Sequence, residues 1–92
     1  MNKYSVKPLP SDIQSALAER FRKLRKAEGY SQAEMAQRSG VSLGSLKRFE
    51  LTGQISLESL LKLAYLLDRL DDFTKVFEPG VDMKRIEKLF NS

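Results

Sequence analysis

The chain has no cysteine, no histidine and no tryptophan. Without thiols or imidazoles there is no disulfide framework, no thiolate nucleophile, no imidazole base and no ordinary zinc or haem site. Long apolar runs are missing as well. The longest stretch, Leu63 to Leu67, falls far short of the roughly 20 residues a bilayer-spanning helix needs. The opening MNKYSVKPLPSD lacks the apolar centre of a secretory signal. These absences predict a cytoplasmic protein with no membrane contact, no metal and no cofactor. Enzymatic chemistry is the weakest reading: Asp71 and Asp72 are adjacent, so on a helix they point in different directions and suit a cap better than a catalytic pair.

What remains is enough for one small domain. The chain has 92 residues, 41% of them hydrophobic, which supports a single compact core and leaves no room for a second independent domain. Its charge is unevenly placed. Residues 1–50 carry ten Lys and Arg against five Asp and Glu, a balance of +5, whereas residues 51–92 carry six against seven, a balance of −1. A basic footprint in the first half favours a polyanionic partner through counterion release.

Periodicity predicts an all-α chain. Residues 1–10 hold two prolines and little pattern, and read as a flexible N-terminal arm. Ser11, with Asp12 and Gln14 behind it, reads as the N-cap of a first helix. Ile13, Leu17, Phe21 and Leu24 then form one stripe, and Gly29 ends the helix near Glu28. Ser31 with Glu34 is a second capping box, Ser42 caps a third helix, and Ser56 a fourth carrying Leu57, Leu60, Leu61, Ala64 and Leu67. Between them Leu51, Thr52, Gly53 and Gln54 read as a connecting loop. Asp71 or Asp72 caps a short fifth helix with Phe73, Val76 and Phe77 inward, stopped by Pro79 and Gly80. Residues 11–78 are therefore one domain of about five helices, and residues 79–92 a short C-terminal amphipathic helix with Met83, Ile86, Leu89 and Phe90.

Within that domain the run QAEMAQRSGVSLGSLKRF has the layout of two short helices crossing steeply through a tight turn. Ala36 is small enough for the crossing point. Gly40 takes the left-handed turn conformation without a Cβ penalty. Met35, Val41, Leu46 and Phe49 supply an inward face, which leaves Lys47 and Arg48 directed outward. A plain helical hairpin can show the same elements singly, but the joint pattern is that of a helix-turn-helix and makes DNA binding the leading reading.

From about Phe21 to Asp68 the chain resembles the Xre/Cro helix-turn-helix family, the lambda-repressor-like fold of phage repressors. The resemblance is carried by LRKAEGYSQAEMAQRSGVSLGSLKRFE followed by SLESLLKLAYLLD. One departure is that Glu50 is followed by Leu51, Thr52 and Gly53 where family members commonly place a glycine two residues on. This loop phrase and the small size resemble the HipB-type antitoxins, which would imply a homodimer that represses its own operon and binds a kinase-like toxin partner.

The resemblance implies that the third helix enters the major groove of a double-stranded DNA operator. Its exposed set is Ser42, Leu43, Gly44, Ser45, Lys47 and Arg48. Arg48 leads for sequence readout, since its planar fork can donate twice to guanine, while Lys47 suits a phosphate. Leu43 and Gly44 replace glutamines frequent in phage relatives, and Leu43 is equally placed to be core. Gln32 corresponds to a phosphate-binding glutamine, and Ser31, Thr52, Gly53 and Gln54 flank the same edge as further phosphate contacts. Arg25 and Glu50 correspond to a structural ion pair. Phe73, Val76, Phe77, Ile86, Leu89 and Phe90 exceed what a fifth helix needs for closure, leaving a surface for a second subunit or another partner; the alternative is that the last helix folds back on its own chain. The competing function is a protein-interaction module of the same fold that has lost specific DNA binding.

Overall fold

The structure is a computed structural model and describes residues 7–80. Four α-helices follow in order: α1 (Pro10–Ala27), α2 (Gln32–Ser39), α3 (Leu43–Thr52) and α4 (Leu57–Leu66), with a single 3-10 turn at Leu70–Phe73. Among the described residues there is no strand.

Serine side chains start three of the helices. Ser31, Ser42 and Ser56 each accept a hydrogen bond from the amide three residues on, at Glu34, Ser45 and Ser59, and each satisfies one of the donors a helix leaves open at its N-terminus. The first helix differs from the sequence reading. Its N-cap is Leu9, not Ser11, and Pro10 occupies the first helical position, where a missing N–H costs nothing and the ring presets φ. Asp12 does the capping from inside, its carboxylate accepting from the Leu9 amide at 2.8 Å.

The core is shared by all four helices, with α3 packed on α1 and α2 and α2 packed on α4. Phe49, Met35, Leu46 and Leu63 are its largest fully buried side chains, each worth about 1.5–3 kcal/mol of transfer free energy. Phe21 meets Phe49 with ring centroids 5.5 Å apart. Ala36 is buried on α2 and Val41 in the turn between α2 and α3. On α1 the buried line runs through Ala18, Phe21 and Arg25, while Ile13 is 48% exposed. On α4 it runs through Leu63 and Ala64 to Leu67 at the C-cap, whereas Leu57, assigned inward by spacing, faces solvent. Both shifts follow from the breadth of an apolar stripe, which fixes a face to about one position on either side.

Two further corrections concern where helices stop. Leu51 and Thr52 belong to α3 rather than to a loop. The Thr52 hydroxyl donates to the Arg48 carbonyl at 2.7 Å and accepts from the Gln54 amide at 3.1 Å, which satisfies the last turn from within. Gly53 then ends the helix at φ 80°, buried against α1. A Cβ there would lie 2.8 Å from Gln14 Cβ and 2.9 Å from the Gln14 carbonyl carbon, so Gly53 is required both for its left-handed backbone and for close helix approach.

The expected fifth helix is replaced by the 3-10 turn at Leu70–Phe73 and a run of turns to Phe77. Asp68 and Phe77 adopt positive φ, 58° and 62°, and break the backbone on both sides of it. Of the residues assigned inward on a fifth helix, Phe73 is half-buried, Val76 is exposed and Phe77 is fully exposed. Ile86, Leu89 and Phe90, and most of the expected C-terminal helix, lie outside the described residues. Ile13, Leu17, Leu60, Ala64, Phe73 and Val76 contribute to an open groove of about 560 Å³ between α1, α4 and the 3-10 segment.

Candidate nucleic-acid interface

Arg25 anchors the support beneath α3. Its Nε donates to Glu50 Oε2 at 2.6 Å, its Nη2 to Glu50 Oε1 at 3.0 Å and its Nη1 to the Tyr30 carbonyl at 2.7 Å. The two side chains are 7% and 5% exposed. This bidentate pair ties α1, the turn before α2 and the end of α3 to one point. Gln32 joins it through an amide hydrogen bond from Nε2 to Glu50 Oε1 at 3.0 Å. No described buried side-chain nitrogen or oxygen is left without a partner, so the cluster stands without the desolvation penalty of an unpaired charge. Three of the Arg25 contacts point inward, which makes its role architectural.

α3 presents its other side to solvent. Gly44, Arg48 and Leu51 recur at four and seven residues, one outward stripe of a helix, with Lys47 beside it; all four are exposed. Leu51 is 86% exposed and Leu43 37%. Gly53 signals a loop from Leu51 onward and so hides Leu51 in the sequence, but the four-and-seven spacing from Gly44 points to it. Gly44 has ordinary helical φ, and a Cβ added there would meet nothing within 4 Å. The fold therefore does not demand a glycine at that position.

The polar residues at the rim are already partly engaged. Ser42 Oγ accepts from the Ser45 amide at 3.1 Å and donates to Ser45 Oγ at 2.8 Å. Ser31 Oγ accepts from the Glu34 amide at 3.0 Å. Thr52 spends its hydroxyl in both directions on the α3 terminus. The carbonyl oxygen of Gln54 accepts from Arg48 Nη2. Gln32 is half-buried at the start of α2, with one of its two amide hydrogens used on Glu50. Lys47, by contrast, has no ion-pair partner among the described residues.

The arrangement is a rigid helix end with cations projecting from it. Tight pairs beneath α3 fix its direction, and the exposed stripe carries donors that can meet phosphate oxygens and base edges. A helix-turn-helix family model matches residues 21–72, more than half of the chain, and the Xre/Cro-like order of its elements is the one described above. The chain belongs to the helix-turn-helix family and is of the DNA-binding regulator class. No curated protein and no solved structure matches it. Among the described residues no helix is long and apolar enough to cross a membrane.

Proposed function

We propose that this chain is a sequence-specific, double-stranded-DNA-binding transcriptional repressor that acts as a homodimer. The observation that carries the reading is the division of α3: Leu46 and Phe49 are buried to 0% and 1% exposure while Lys47 and Arg48 between them are exposed. A helix held so firmly on one side and left cationic on the other suits insertion into the major groove. One such helix reads few base pairs, and two copies on half-sites about 34 Å apart supply the rest. The exposed apolar side chains of Val76 and Phe77 support a contact surface for the second copy. The antitoxin role beside a HipA-type kinase toxin rests on the loop phrase after Glu50, and the reading frame adjacent to the gene is the observation that decides it.

The test is selection of duplexes from a randomised pool by the full chain, followed by affinity measurements across salt concentrations and by sedimentation of the complex. A recurring motif with two-fold symmetry, a steep fall of affinity with salt and two chains per site support the proposal. A second reading, an interaction module without specific DNA binding, draws support from Leu43 and Leu51, apolar residues on the face that should meet DNA. Failure to enrich any sequence would favour it.

A further inference from the structure

Arg48 lies on the outward stripe of α3, yet its guanidinium does not swing freely. Nη2 donates to the side-chain carbonyl of Gln54, a residue beyond the end of the helix. Gln54 is itself held by a short chain of fixed points. Its backbone N–H donates to Thr52 Oγ1 at 3.1 Å, and the same hydroxyl donates to the Arg48 carbonyl at 2.7 Å. Between them Gly53 is wedged against the Gln14 backbone of α1 and locked at positive φ. The loop that carries Gln54 is thus set by the α1 contact, and Gln54 in turn orients the arginine.

We propose that Gln54 is a positioning residue for base readout, which holds the Arg48 fork in the orientation used against DNA rather than contacting a phosphate itself. The inference rests on the DNA-binding reading above. One of the five N–H donors of a guanidinium is used on Gln54, which leaves enough for a bidentate approach to guanine O6 and N7. An arginine on a long flexible stem otherwise loses rotamer freedom on binding; pre-orientation removes part of that loss. The chemistry separates the two roles of Gln54. Positioning uses its carbonyl oxygen as an acceptor, whereas a phosphate contact would use its amide nitrogen as a donor.

The experiment uses the full chain and two probes, the duplex enriched from a randomised pool by the wild type and a scrambled duplex of the same composition. Gln54→Ala is expected to lower the preference for the enriched duplex over the scrambled one roughly threefold to tenfold, the loss from freeing one rotamer-rich side chain, at an unchanged thermal midpoint because Gln54 is exposed. Gln54→Glu keeps the acceptor and is expected to retain the preference while binding both duplexes more weakly, since a carboxylate repels phosphate. In an Arg48→Ala background, Gln54→Ala is expected to cause no further loss of preference. Equal weakening of both duplexes by Gln54→Ala, or an additive loss in the double variant, overturns the positioning role while leaving DNA binding intact. A wild-type chain that enriches no sequence removes the reading beneath it, and the proposal with it.

Discussion

The two sides of α3 are built from opposite materials. Toward α1, Glu50 and Gly53 meet Arg25 and Gln14 at distances that admit no extra atom, and the neighbouring Phe49 is sealed from solvent. Toward solvent, Gly44 has room for a side chain it lacks, and Lys47, Arg48 and Leu51 are exposed. The buried contacts are concentrated on the first side and the proposed recognition on the second, so changes on one should leave the property of the other largely alone.

The sharpest way to break that division is at the buried pair. Glu50→Ala leaves the Arg25 guanidinium without its carboxylate partner, and the expected cost is about 3–5 kcal/mol, read as a lower urea midpoint. Loss of DNA binding in that variant would follow from unfolding, so a folded Glu50→Ala chain of wild-type stability would refute the role given to the pair. Gly53→Ala should come next, at about 2–4 kcal/mol, from a positive φ and a Cβ forced onto the Gln14 backbone. A Gly53→Ala protein that melts with the wild type would mean that α1 and α3 do not approach as closely as described.

On the outward side, Arg48→Ala should reduce discrimination between enriched and scrambled duplex by about 1–3 kcal/mol without moving the thermal midpoint. Equal losses on both duplexes would reassign Arg48 to the phosphate backbone. Gln32→Ala sits across the boundary. Removing its bond to Glu50 should cost about 0.5–1.5 kcal/mol of stability, and removing its second amide hydrogen should weaken all duplexes alike; a change in sequence preference instead would place it at a base edge. The smallest effect belongs to Gly44→Ala, which should raise stability by up to about 1 kcal/mol because nothing blocks a methyl group. If denaturant titration shows a loss, the space beside Gly44 is not open.

Elements whose determinants are local could be read directly. Ser31, Ser42 and Ser56 stand immediately before their helices, Gly40 lies at the left-handed end of α2, and Met35, Val41, Leu46 and Phe49 share one buried face. Local signals misled where two of them competed. At the start of α1, Ser11 is the better capping residue by type, but Pro10 and Asp12 suit the first and third helical positions, and the helix begins earlier. At the end of α3, Thr52 and Gly53 resemble a loop until the Thr52 hydroxyl is seen turned back onto Arg48. After α4 the apolar spacing of Phe73, Val76 and Phe77 suits a helix, but positive φ at Asp68 and Phe77 leaves only a 3-10 turn.

The amino-acid order alone was sufficient for four helical segments, the serine caps of three of them, the tight turn at Gly40 and the outward placement of Lys47 and Arg48, because each depends on residues within a turn or two of one another. Only the folded chain brought Gly53 against Gln14, Gln32 onto Glu50 and Gln54 beneath Arg48. Across 39 residues for the first pair and 18 for the second, no periodicity links the partners; packing of α1 and α2 around α3 sets which atoms meet. For Gln54 the separation is short, but the contact exists because α1 holds the Gly53 turn in place.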